Sequence, residues 1–81
     1  MNQYRVLIQA PDSTGLIYKA AKVFFENGLN IITNHEFVDN EQNIFFMRSV
    51  VSGDIDAKRL GDLLSAALPE EISLTIKLAR K

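Results

Sequence analysis

The apolar residues of this chain change their spacing along its length, and this pattern restricts the possible folds more than any other feature. Residues 4–10 alternate as in a strand with one buried face, which carries Tyr4, Val6, Ile8 and Ala10. From Gly15 the spacing becomes helical, and one face of the predicted helix carries Leu16, Ala20, Val23 and Phe24, widened by Ile17 and Ala21. Gly28 is expected to end this helix in a left-handed conformation.

A hairpin, a second helix and a last strand follow. Residues 30–39 and 43–51 indicate two strands joined by a polar tip, in which Asn43 is expected to take a positive φ. Asp54 is a candidate N-cap for the second helix. The apolar face of that helix would consist of Leu60, Leu63, Leu64, Ala67 and Leu68. The last strand alternates, with one face made of Ile72, Leu74, Ile76 and Leu78.

The predicted order of elements is β-α-β-β-α-β in a single domain over residues 1–81. Right-handed crossovers turn this order into the split-βαβ, ferredoxin-like sandwich. We therefore predict an α+β fold in which two helices cover one face of an antiparallel four-stranded sheet.

Composition and charge argue against several functional classes. The absence of Cys rules out disulfides and thiolate metal sites. A net charge of −1 disfavours a protein held to nucleic acid by phosphate contacts. No apolar run approaches the roughly 20 residues of a membrane span, and the amino-terminal residues lack the layout of a signal peptide. We expect a cytoplasmic domain with no cofactor.

The hairpin brings His35, Glu36 and Asp39 close in sequence, which raises the possibility of a metal or acid–base site. His35 and Asp39 share a strand face, but at about 3.3 Å per residue their Cα atoms lie roughly 13 Å apart. Metal–ligand bonds of about 2.0–2.2 Å do not easily join both side chains to one ion. Glu36 points to the opposite face. We therefore predict no metal site and no catalytic residue here.

Aromatic residues on the third strand invite comparison with sheets that bind RNA. Phe45, Phe46 and Arg48 lie there, but the K/R-G-F/Y opening of such strands is missing. Tyr4 falls on the core face, and the acidic Asp39 would repel phosphate, as would Glu41. We predict no nucleic-acid binding.

The two hairpin strands carry apolar residues on both faces. Ile31 and Phe37 lie opposite Ile32 and Val38, and the third strand shows the same pattern. An antiparallel sheet with one wet face should be polar on that face. Burial of apolar area stabilises by about 25 cal/mol per Å², so we predict that the outer face is covered in a homodimer or tetramer, or by another domain.

The segment PDSTGLI, residues 11–17, lies between the first strand and the first helix. Asp12, Ser13 or Thr14 can cap the first helical amides, and Gly15 lets the backbone approach a neighbour closely. The same amides could hold a carboxylate. Both roles are open on the residues alone.

PDSTGLI resembles the P-D-x-x-G-[LI] opening of ACT domains, small amino-acid-sensing modules of metabolic enzymes. NIITNHEFVD at 30–39, followed by FFMR at 45–48 and DLLSAALPEE at 62–71, is similar to the N-terminal ACT domain of the formyltetrahydrofolate deformylase family. The resemblance implies the ferredoxin-like fold and a regulatory or assembly role.

The resemblance also implies a place in one-carbon metabolism and purine synthesis. Members of this family hydrolyse 10-formyltetrahydrofolate to formate and tetrahydrofolate, using residues of a C-terminal formyltransferase-like domain that this chain lacks, so no catalytic residue is assigned. A small amino-acid effector, such as glycine or methionine, would bind at a dimer interface. The residues expected to bind it are Asp12, Ser13, Thr14, Gly15, Leu16 and Ile17, with Asn30 nearby. A stand-alone ACT sensor or adaptor for another enzyme is the alternative.

Overall fold

The computed structural model describes residues 2–11, 14–68 and 71–80, and it has the predicted order of elements. The strands are β1 (Asn2–Pro11), β2 (Asn30–Asp39), β3 (Ile44–Gly53) and β4 (Ser73–Arg80). The helices are α1 (Leu16–Glu26) and α2 (Ala57–Ala67). Neither helix has both the length and the apolarity that crossing a lipid bilayer requires.

The four strands form one antiparallel sheet in the order β2-β3-β1-β4. β1 and β3 therefore lie in the centre of the sheet, and β2 and β4 form its two edges. This strand order is the one that the ferredoxin-like sandwich requires, so the predicted fold is confirmed.

The core lies on one side of the sheet, beneath the two helices. The strands contribute the buried side chains Tyr4, Val6, Ile8, Ala10, Phe45, Met47 and Val51. The helices and the residues next to them contribute Leu16, Ala20, Val23, Phe24, Leu29, Leu60, Leu64 and Leu68. These residues include the face predicted for β1 and the main residues of the face predicted for α1, but Ile17, which was expected to widen that face, is exposed, and Ala21 is only partly buried. The face predicted for β4 is buried only in part, because β4 is an edge strand and its Leu78 is 48% exposed.

Turn and cap residues correct one prediction and confirm two. The N-cap of α2 is Asp56, whose Oδ1 accepts a hydrogen bond from the Arg59 amide at 2.7 Å. The prediction of Asp54 as the cap was wrong, because α2 begins only at Ala57 and the capping carboxylate must precede the first helical residue directly. Gly28 and Asn43 have the expected positive φ values of 69° and 58°.

The cap at Asp56 generates a stability prediction. Asp56→Ala should lower the free energy of unfolding by about 1 kcal/mol, because the Arg59 amide loses its acceptor. Asp54→Ala removes a carboxylate two residues earlier and is the matched control, with an expected change near zero. Urea denaturation of both variants measures the difference, and equal losses would contradict the assignment.

Candidate functional site

Of the predicted site residues, Thr14 and Gly15 lie in the turn between β1 and α1, and Leu16 and Ile17 begin α1. Asp12 and Ser13 lie outside the described residues. Gly15 is the N-cap of α1 and has φ 85°, in the left-handed region. Its carbonyl oxygen accepts a hydrogen bond of 3.0 Å from the backbone N–H of Lys19. This bond closes the first turn of the helix. Leu16 is buried and anchors this turn in the core, whereas Ile17 is exposed.

The first amides of α1 have no side-chain acceptor among the described residues. The first amides of any α-helix also lack intrahelical partners. Apart from its immediate chain neighbours, a Cβ atom on Gly15 would meet no atom of the described residues within 4 Å, so these residues leave the space beside Gly15 open. The turn therefore offers backbone N–H donors next to open space, which is an arrangement that can hold an anionic group.

Asn30 lies far from this turn in the same chain. It begins β2 and pairs with Ser52, whereas Asp39, at the other end of β2, pairs with Ile44 beside Pro11 and the turn that follows. β2 has 10 residues, which at about 3.3 Å each span roughly 30 Å. One chain therefore does not bring Asn30 to a ligand held at the start of α1.

β2 is exposed along most of its length, on both faces and at its outer edge. Residues 30–37 are all exposed, and only Val38 and Asp39 are partly buried. The pairing with β3 shifts by one residue at Ile32, which forms a bulge near the start of the strand. From Thr33 to Asp39 the edge is regular, so it presents a row of backbone groups that can pair with another strand.

A short chain of hydrogen bonds between polar side chains, which no sequence pattern indicated, lies on the helix-facing side of β2. The hydroxyl of Ser49, which is fully buried, donates to Oδ1 of Asn34 at 2.6 Å. The amide of Asn34 in turn donates to the carboxylate of Glu36. At the edge of the core next to β2, these polar side chains occupy positions where apolar side chains would otherwise pack.

The side of the sheet that faces away from the helices, called the open face below, combines apolar and basic side chains. Strand pairing aligns three rows across it. From β2 to β4 the rows are Phe37–Phe46–Gln9–Ser73, His35–Arg48–Leu7–Thr75 and Thr33–Val50–Arg5–Lys77. A depression of about 420 Å³ lies over the first two rows. The rings of Phe37 and Phe46 have centroids 5.9 Å apart.

Basic residues from three strands gather on the open face. Arg5, Arg48 and Lys77 are all exposed there, and the acidic Asp39 lies at its border. Two copies placed with these faces together would bring like charges close to one another, which is unfavourable. This face therefore carries apolar side chains, such as Phe37 and Phe46, next to exposed basic ones.

The structure separates the acidic and imidazole groups of the hairpin. His35 pairs with Arg48 in a row of the open face, whereas Glu36 lies on the opposite side of β2. In the parts of the chain that the structure describes, no group of three or more His, Cys, Asp or Glu side chains could hold a metal ion.

Solved structures of other proteins share the fold of this chain. An ACT domain protein from Streptococcus pneumoniae has a TM-score of 0.77 at 22% identity, with 96% of this chain and 90% of that chain covered. A formyltetrahydrofolate deformylase from Pseudomonas syringae has a TM-score of 0.86 at 22% identity, with 100% and 29% covered. The element order and the sheet, together with these neighbours, show that the chain has the same fold as this ACT domain protein.

Two sequence relatives point to a particular family of enzymes. A formyltetrahydrofolate deformylase from Haemophilus influenzae is 41% identical over 66 residues, which are 82% of this chain and 24% of the relative. The Escherichia coli K12 enzyme of that name is 40% identical over 60 residues, 74% of this chain and 21% of the relative. The resemblance to the formyltetrahydrofolate deformylase family is thus confirmed, and the chain spans at most about a quarter of the length of these relatives. No family model matches the sequence.

The positive φ of Gly15, which is unfavourable for other residues, generates a second stability prediction. Gly15→Ala should lower the free energy of unfolding by about 1–2 kcal/mol, because a Cβ is unfavourable in the left-handed region. Gly15→Asn should lose less, since Asn tolerates that region.

The control is a second glycine in a helix. A Cβ at Gly61 in α2 would make only an ordinary contact, 3.6 Å from Cδ1 of Ile76. Gly61→Ala should therefore raise the free energy of unfolding by about 0.5–1 kcal/mol. If both alanine variants shift in the same direction by urea denaturation, the strain at Gly15 does not determine the effect.

Proposed function

We propose that this chain is the regulatory and assembly domain of a formyltetrahydrofolate deformylase. The observation that carries the proposal is the 41% identity over 66 residues to the Haemophilus influenzae protein of that name. The complete enzyme would hydrolyse 10-formyltetrahydrofolate to formate and tetrahydrofolate, and so serve one-carbon metabolism and purine synthesis. Its catalytic residues would lie in a separate C-terminal domain.

The proposed effector is a small amino acid such as glycine or methionine. Its carboxylate would accept hydrogen bonds from the first backbone amides of α1, within the segment from Asp12 to Ile17. The open space outside Gly15 supports this assignment, as does the absence of a side-chain acceptor for these amides among the described residues. The positive end of the helix dipole would add to the attraction.

A second copy would complete the site. Two β2 edges can pair in antiparallel fashion around a two-fold axis near the middle of the strand. This pairing would place Asn30 of a second copy beside Asp39, at the end of the sheet where α1 begins. Each dimer would then hold two equivalent effector sites, each with amides from one copy and the amide side chain of Asn30 from the other.

Amino-acid binding tests this proposal directly. Titration calorimetry and thermal shift with glycine, methionine and serine should show binding of glycine or methionine. Asn30→Ala should weaken binding without loss of stability, because the Asn30 side chain is exposed. Asn40→Ala removes the same amide from an exposed turn and should bind like the unmodified chain. If none of the three amino acids gives heat or a thermal shift, the domain serves assembly alone.

A stand-alone ACT sensor or adaptor is the second candidate. It is supported by the Streptococcus pneumoniae ACT domain protein, 90% of which this chain covers. The coding sequence downstream of Lys81 distinguishes the two candidates. A reading frame that continues into a formyltransferase-like domain supports the deformylase, and a stop codon there supports the sensor.

A further inference from the structure

The outer side of α1 carries an apolar stripe that the domain itself does not bury. Phe25 is 83% exposed and Tyr18 is 68% exposed. Together with Ala21 they lie at helical spacing i, i+3 and i+7, on the side opposite the buried face of the helix. A surface depression of about 400 Å³ runs along this side and is lined by Tyr18, Ala21, Lys22, Phe25 and Glu26.

The stripe is distinct from the surfaces used in the proposed function. It points away from the sheet, whereas the effector proposal uses the start of α1 and the outer edge of β2. Contiguous exposed apolar groups of this kind mark interaction surfaces. The identity of the partner can be argued from the order of residues along the helix.

The stripe is complementary to itself when two copies of α1 run antiparallel. The two-fold axis would lie between the two helices, level with the midpoint of Ala21 and Lys22. It places Tyr18 of each copy against Phe25 of the other. Such an interface gives two equivalent aromatic contacts, and aromatic pairs of this kind are favourable beyond their burial. The small side chain of Ala21, near the axis, lets the two helices approach closely.

Charges beside the stripe favour the same antiparallel arrangement. Lys19 and Glu26 lie on one flank of α1, and both are exposed. The same two-fold axis brings Lys19 of one copy within about 3 Å, along the helix axis, of Glu26 of the other, given a rise of 1.5 Å per residue. A parallel arrangement would place this flank on opposite sides of the contact in the two copies, so no Lys19–Glu26 pair would form between them.

Lys22 is the one residue that the antiparallel arrangement places unfavourably. It lies next to the axis, so the two Lys22 side chains come close to one another. Their long stems can carry the ammonium groups outward into solvent. Removing the charge of Lys22 should therefore strengthen the contact between the two helices. Removing a charged side chain elsewhere on the surface should not have this effect.

We propose that α1 is a self-association surface on which a second copy of this chain docks antiparallel, through Tyr18, Ala21 and Phe25 with flanking Lys19–Glu26 pairs. This contact is independent of the β2 edge, so the two contacts together would join more than two copies. The interface is one short helix from each copy, and it is correspondingly weak on its own.

Charge reversal at Lys19 and Glu26 tests the proposal, and the double variant serves as its internal control. Lys19→Glu and Glu26→Lys should each weaken self-association about tenfold or more, measured by sedimentation velocity over a concentration series. The double variant K19E/E26K re-forms the pairs with reversed sign and should restore association. Phe25→Ser should abolish the α1 contact, so that any association left is the pairing of β2 edges, and circular dichroism should show an intact fold because Phe25 is exposed. Lys22→Ala should strengthen the α1 contact.

Lys58→Glu is the matched control, because Lys58 is a highly exposed lysine on α2 and its reversal should leave association unchanged. If the double variant fails to recover association, or Phe25→Ser sediments as the unmodified chain does, the proposal is wrong. An unmodified chain that stays monomeric at millimolar concentration also overturns it. Amino-acid binding should persist in Phe25→Ser and Glu26→Lys, which lie at the end of α1 away from the proposed effector site, so a failure here is distinguishable from a failure of the effector proposal.

Discussion

Burial of one face of the central strand pair holds this domain together, and the placement of the other elements depends on it. β1 and β3 pair over their whole length, and their helix-facing side chains meet those of α1 and α2 in a single core. At roughly 25 cal/mol per Å² of apolar area, this face is the main source of stability in a chain of 81 residues. The two outer strands add hydrogen bonds to this centre but bury far fewer side chains.

This division between centre and edges explains where the exposed surfaces lie. β2 contributes little to the core, so its sequence is free to carry polar groups on both faces. The outer side of α1 is likewise free, because Leu16, Ala20, Val23 and Phe24 already anchor the helix. The surfaces proposed for effector binding and assembly are therefore those that folding leaves unused. A small domain can change its partners there without disturbing its core.

Local patterns in the sequence predicted most of the fold, because they depend on near neighbours in the chain. The alternation of β1, the buried face of α1 and the positive φ at Gly28 and Asn43 all follow from short-range rules. The cap of α2 was misplaced by two residues, since Asp54 and Asp56 both precede the helix and only backbone geometry decides between them. Which strand lies at an edge depends on pairing between distant residues, so the exposure of β2 could not be read from its apolar residues.

The candidate site shows the same limit. The turn around Gly15 was predicted by its motif, but the distance from that turn to Asn30 depends on the direction of β2. The net charge of −1 also concealed the basic open face, because Arg5, Arg48 and Lys77 come from three strands that meet only in the sheet.

The hydrogen bond between Ser49 and Asn34 also affects how β2 is aligned with β3. Sliding β2 along β3 would leave a buried hydroxyl without its acceptor, at a cost of about 1–3 kcal/mol. This pair therefore acts as a register lock that holds an otherwise loosely specified edge strand in one alignment.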